Sequence, residues 1–291
     1  MSHHTHPEIT TDIVVIYHAN CYDGFGGAWV AWKKFGDTAT YIPAKYGQEL
    51  PEGIDGREIY VIDFSYDGEP LLELERRARR AVCIDHHASA EPWVRQLKEH
   101  VFDLNHSGAY LAWEYFFPDE PVPKFIEYIS ESDIFKLTLP FAEEVTAYLQ
   151  ALPQTFESFE NMHREIDDTV LFEQAIEKGK LLMVYRDKVL EPAMNSILTI
   201  ELAGYEIPAV NMCFPISEVS HGLHNVYELY PPIAMSYRLD DGQWKCSLRS
   251  NTTVDCSKIA QQFGGGGHPG SAGFAIPYEE GIFPFKIIHG A

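Results

Sequence analysis

Ala81-Val82-Cys83-Ile84-Asp85-His86-His87 is the stretch whose reading decides the fold. Ala81 to Ile84 form a short apolar run of the kind that fills a buried strand. The run stops in one carboxylate and two imidazoles. A strand that ends this way puts its polar atoms at the mouth of a sheet, where open α/β folds bind ligands. A solvated loop would serve equally well for this stretch alone. Two earlier strands that end alike tip the balance.

The first is Asp12–Tyr17, β-branched and followed by His18-Ala19-Asn20-Cys21-Tyr22-Asp23-Gly24. The second is Glu58–Phe64, which carries Asp63 near its end. Between them lie a helical pattern from Phe25 to Phe35, with Ala28, Trp29, Ala31, Trp32 and Phe35 as core residues, and a short strand at 39–43. A helix over Leu71–Arg80 leads into the Asp-His-His strand. This β-α-β alternation predicts an α/β fold: an N-terminal parallel sheet with helices on both faces.

Further helices are expected near 108–113, 123–132, 141–152 and 155–163, then a connector helix from about Asp167 to Leu198, interrupted at Pro192. Ser107-Gly108-Ala109 is either an anion-binding helix start or an ordinary serine cap. From Leu198 the pattern turns to strands (199–202, 205–210, 233–238, 243–249), with Leu239-Asp240-Asp241-Gly242 as a hairpin signal. A helix over 255–263 precedes Gly264-Gly265-Gly266-Gly267-His268, which reads as a loop. The domains fall at 1–190 and 191–291, the second a smaller α/β domain.

Composition narrows the function. The formal charge is −21, which repels a long polyanion, because nucleic-acid affinity rests on Lys and Arg neutralising phosphates. No apolar run is long enough to span a membrane. Five cysteines, an odd number with no C-x-x-C pair, suit a reduced, cytoplasmic protein. His3, His4 and His6 read as a floppy start.

The strand ends His18/Asp23, Asp63 and Asp85-His86-His87 converge in a parallel sheet. Carboxylates and imidazoles gathered this closely call for a divalent cation, and mixed Asp and His donors suit manganese, iron or zinc. One Asp shared by two ions would make a two-metal site able to clamp a phosphoryl group.

These residues, in this order and with Gly264–Gly267 and His268 behind them, resemble the DHH phosphoesterase superfamily. The pairing of both ends resembles the branch with the DHH-associated C-terminal domain, which includes nanoRNases, dinucleotide phosphodiesterases and RecJ-type exonucleases. The resemblance covers nearly the whole chain. It implies His18, Asp23, Asp63 and His86 as ligands of two manganese ions, with zinc or iron as alternatives, and Asp63 as the bridge. Asp85 would orient His86, and His87 would face the phosphate. Asp133 is the candidate for the last ligand, with Asp103, Asp119 and Glu131 as alternatives nearby. His87, Asp85 and Arg249 are the catalytic candidates. Ser107, Gly108, Arg249, Gly265, Gly266, Gly267 and His268 are the substrate-binding ones.

One departure from the family stands out. Cys21 occupies the place of an expected Asp, and His18 is one residue further from Asp23 than usual. Cys21 can ligate as a thiolate, favouring softer metals, or be an inert thiol. The resulting expectation is a phosphodiesterase that cuts short oligoribonucleotides or linear dinucleotides to mononucleotides, with no long nucleic acid and no membrane as partner, and with room for a homodimer. The alternatives are an exopolyphosphatase-like phosphatase on small phosphate compounds and a catalytically impaired nucleotide-binding protein.

Overall fold

A computed structural model describes residues 7–134, 136–212, 233–250 and 253–289. His3, His4, His6 and Cys213 lie outside them. The chain divides into two compact units, 1–180 and 181–291.

In the first unit β1 (Ile13–His18), β2 (Ala39–Ala44), β3 (Glu58–Ile62), β4 (Arg80–Asp85) and β5 (His100–Phe102) form one sheet in the order 2-1-3-4-5. Every pairing is parallel. Side chains alternate between two cores, as a pleated strand requires. Val14, Ile16, Ile59, Val61, Ala81 and Cys83 fill one face. Val15, Tyr60, Ile62, Val82 and Ile84 fill the other. Strands apolar on both sides are what a covered parallel sheet needs.

The helix α1 (Tyr22–Phe35) covers the Val15 face, while α2 (Glu69–Arg77) and α3 (Glu91–Val94) cover the Val14 face. On the Val15 side α4 (Gly108–Phe116), α5 (Lys124–Asp133), α6 (Ala142–Ala151) and α7 (Phe156–Asp167) complete the layer. Phe125 on α5 is buried and meets Trp29 and Phe159 edge-on, with centroids 5.4 Å away in each case. Phe125→Ala is expected to cost about 3–5 kcal/mol. Chemical denaturation with an unchanged m-value checks this; a loss under about 1 kcal/mol would mean that the site collapses around the gap.

Several elements differ from the expectation. The helix expected to reach Arg80 stops at Arg77. Arg80 instead opens β4 and holds Glu99 (2.7 Å) and Glu58 (2.9 Å). The strand expected to include Asp63 ends at Ile62, and Asp63 takes a left-handed φ of 53°. The elements α3 and β5 were not foreseen, being four and three residues long.

Strand order reverses between β1 and β3. In doubly wound sheets that reversal opens a crevice at the carboxyl ends of the strands. His18 and Asp63 stand on its two sides.

The division between units falls inside α8 (Thr169–Met194). Pro192 does not interrupt this helix as expected. It lies in the last turn, where the Asn195 N–H still donates to Glu191 O at 3.2 Å. Four strands follow: β6 (Leu198–Leu202), β7 (Tyr205–Asn211), β8 (Ile233–Asp240) and β9 (Gln243–Ser250). The hairpin expected at Leu239–Gly242 is present. Asp241 and Gly242 both have positive φ, 48° and 69°, as a type I′ turn demands.

The helix α9 (Cys256–Gln261) is capped by Asp255, whose carboxylate accepts from Ser257 N–H. Then β10 (Gly266–His268), β11 (Ser271–Pro277) and β12 (Lys286–His289) complete a seven-stranded mixed sheet in the order 10-11-9-8-7-6-12. The glycine run is thus partly a strand. A Cβ on Gly265 would fall 2.0 Å from Gly273 O, so the glycine is required for close packing.

Candidate metal centre

Asp63 is the centre of the arrangement. Its 1% exposure and left-handed backbone mark an acid held where chain geometry resists it. Its two carboxylate oxygens face different groups. Oδ2 lies 3.4 Å from His18 Nδ1, without a well-formed hydrogen bond. Oδ1 lies 3.0 Å from His86 Nε2.

Each side has a third donor. On one side, ligand atoms of His18, Cys21 and Asp63 lie within 4.8 Å of one another. On the other, the same holds for Asp23, His86 and Asp133. His86 Nε2 is 3.3 Å from Asp133 Oδ2 and 3.8 Å from Asp23 Oδ2.

Local structure places each of these groups. Asp23 sits in the first turn of α1, and its carboxylate accepts from the Gly108 (2.6 Å) and Ala109 (3.0 Å) amides at the start of α4. A Cβ on Gly24 would meet His18 O at 2.4 Å, so α1 approaches the end of β1 only because that residue is glycine. Asp133 is the last residue of α5, where the helix dipole disfavours negative charge.

The electrostatics call for cations. Burial, with Asp63 and Asp133 beside it, pushes Asp23 well above the carboxylate range. Burial and Asp63 also raise Asp133, against His86. For Asp63 burial is outweighed by the neighbouring His18 and His86 imidazoles, and its carboxyl is held well below that range. Burial opposes charge on His86, but Asp63, Asp133 and Asp23 prevail and its pKa is pushed up to about 10. Burial and the same three acids raise the Cys21 thiol. Three carboxylates, a thiol and two imidazoles packed this closely form a donor set suited to divalent ions.

Comparison with known proteins bears on the fold and on the second unit. Residues 227–283 match the model of the DHHA1 domain. Uncharacterized protein R106 of Acanthamoeba polyphaga mimivirus is 30% identical over 299 residues, covering 94% of this chain and 70% of that protein. Among solved structures, the DHH domain of a protein described as a member of a ribosomal-protein family aligns at TM-score 0.59 and 14% identity, over 95% of this chain and 83% of its own. An exopolyphosphatase-related protein from Bacteroides fragilis aligns at TM-score 0.50 and 14% identity, over 95% and 89%. At such identities these two structures speak for the fold.

Residues 227–283 are a DHHA1 domain, and the chain shares the fold of the DHH-domain structure.

Two expected roles change in this structure. The helix start at Ser107-Gly108 is not open to a substrate anion. Ser107 is fully buried and caps Tyr110 N–H (3.4 Å), while the Gly108 amide is engaged by Asp23. Asp85 orients His87 rather than the His86 imidazole: its Oδ1 accepts from His87 Nδ1 (2.7 Å) and from the His86 and His87 amides (2.7 and 3.1 Å). Burial works against charge on His87, but Asp85 outweighs it and raises its pKa.

The alternatives to Asp133 lie elsewhere. Glu131 accepts from the Thr138 and Leu139 amides, Asp103 pairs with His106 (2.6 Å), and Asp119 is exposed. In the second unit His268 is opposite Ser271, and Ser271 is opposite Arg249, so three adjacent strands bring these residues into one row. Gly265, Gly266 and Gly267 run alongside. Sequence reasoning missed the Gly108 and Ala109 amides as partners of Asp23; the glycine at 108 was the available signal.

Proposed function

We propose that this protein is a metal-dependent phosphodiesterase that cleaves short oligoribonucleotides or linear dinucleotides to mononucleotides. The observation that carries the reading is Asp63, which turns one carboxylate oxygen to His18 and the other to His86. Two divalent cations, manganese foremost, fit the two donor sets: His18, Cys21 and Asp63 for one, and Asp23, His86 and Asp133 with Asp63 for the other. When bound, the cations lower the pKa of an attacking water and neutralise charge that builds on the phosphoryl oxygens.

The protein's own groups do the rest. Asp63, with one oxygen towards His18 and the other towards His86, would hold the two cations. Amides at the start of α4 keep the Asp23 carboxylate in one orientation. Asp85 fixes the His87 ring through Nδ1, which leaves Nε2 as the atom that would meet a phosphoryl oxygen. A protonated His87 stabilises negative charge in the transition state. The row of Arg249, Ser271 and His268 offers a cation, a hydroxyl and an imidazole to a nucleotide phosphate. The charge of −21 favours short substrates over long ones.

The test is hydrolysis of 5′-labelled di- to pentaribonucleotides with manganese, magnesium, zinc or no metal. Metal-dependent release of mononucleotides, fading with length, supports the reading. Cleavage of tripolyphosphate but not of diadenylate overturns it in favour of a small-phosphate hydrolase. Cys21 gives a further prediction. Cys21→Asp supplies a hard oxygen donor, so magnesium-supported turnover rises relative to zinc-supported turnover. Unchanged metal preference would mean that the thiol is not a ligand.

A further inference from the structure

The strand β2 ends at Ala44, directly beside His18 in register. A tight turn follows. The Lys45 amide donates to Gln48 Oε1 (2.8 Å), the Gln48 amide donates to Lys45 O (3.2 Å), and Gly47 has a φ of 80°. The turn presents Tyr46, which the roles assigned so far leave unused.

Its ring packs against three aromatic neighbours. Phe64 lies 5.1 Å away by centroid, His18 5.4 Å at 74°, and His87 6.0 Å at 80°. Tyr46 therefore touches one imidazole of the metal centre and the imidazole assigned to the phosphate. The residue is nevertheless 44% exposed, at the edge of the centre. A lone exposed tyrosine needs no explanation. A ring packed against two site histidines, on a residue still partly exposed, is a preorganised flat surface next to the reacting phosphate.

We propose that Tyr46 is a base-stacking platform: its ring receives the nucleobase of the nucleotide whose phosphate is cleaved. The proposal deepens the phosphodiesterase reading and rests on it for the position of the phosphate. Stacking on an aromatic side chain tolerates any base, because every base has a π-face. Tyr46 thereby favours nucleotides over inorganic polyphosphate without selecting a sequence.

The experiment compares wild type, Tyr46→Ala and Tyr46→Phe. Binding is measured by calorimetry with manganese, using a diadenylate in which a methylene group replaces the scissile oxygen. The same analogue lacking the base next to the modified phosphate is the control. Turnover of diadenylate is measured in parallel. Tyr46→Ala is expected to weaken binding of the diadenylate analogue about tenfold, to leave the abasic analogue unaffected, and to raise KM more than it lowers kcat. Tyr46→Phe restores the affinity.

Equal weakening of both analogues, or of neither, overturns the proposal. So does a lower manganese stoichiometry in Tyr46→Ala, which would make the ring a prop for the centre. Tyr46-dependent, base-dependent binding by a protein that hydrolyses no diadenylate would keep the platform and sink the reaction. Hydrolysis indifferent to Tyr46 would do the reverse. A wild type that neither binds nor cleaves removes both.

Discussion

Asp63→Asn is expected to lower turnover by about a thousandfold or more, the equivalent of several kcal/mol of transition-state stabilisation. Asparagine has the same shape as aspartate and tolerates left-handed backbone, so the φ of 53° carries no new strain. What the substitution removes is charge and one anionic oxygen. The oxygens now face His18 at 3.4 Å and His86 at 3.0 Å, and only a carboxylate can serve a cation on each side with equal strength. The check is kcat at saturating manganese, alongside a thermal melt. A rate within tenfold of wild type, with a normal melt, would contradict the shared-carboxylate account.

Gly108→Ala should damage both stability and activity. A Cβ there would lie 2.5 Å from Asp63 Cβ, 2.7 Å from its Cα and 3.0 Å from its N. These atoms belong to backbone already in an unusual conformation, so no flexible side chain can yield. Overpacking of this kind costs about 1–3 kcal/mol. Either α4 withdraws its amides from Asp23 or Asp63 shifts, and a displacement near 1 Å can cost on the order of a hundredfold in rate. The melting temperature should fall by several degrees, with kcat falling more steeply than stability alone explains. A variant with wild-type melt and rate would show that α4 can retreat without disturbing the centre.

The strand ends were legible because they combine two unrelated signals. Val14-Val15-Ile16, Tyr60-Val61-Ile62 and Val82-Cys83-Ile84 are apolar on both faces, which only a covered parallel strand tolerates. Each run then stops at ligand-type side chains. That pairing made the fold readable and put His18, Asp23, Asp63 and Asp85-His86-His87 together in advance, whereas Asp133, at the end of a helix, came forward only through the family resemblance.

The misses have physical causes. The strand β5 has only three residues, all half-buried, and carries no periodicity to detect. The end of α2 was set by Arg80, whose partners, Glu58 on β3 and Glu99 just before β5, are distant in sequence. Asp85 could be read as support for either histidine, and only the hydrogen bond to His87 Nδ1 decides between them. Ser107-Gly108 offered the signature of an anion site, and the protein's own Asp23 carboxyl group sits there, accepting from the Gly108 amide. The glycines at 264–267 suggested a ligand loop, whereas Gly265 answers first to the approach of Gly273 O.

The most direct test of a two-cation centre bridged by Asp63 is a crystal structure of the wild-type protein grown with manganese, with anomalous data collected at the metal edge. The account predicts two anomalous peaks about 3.5–4 Å apart, one beside His18 and Cys21, one beside Asp23, His86 and Asp133, with an oxygen of Asp63 on each. A single peak with Asp63 bound through one oxygen only, or peaks away from these residues, would contradict it.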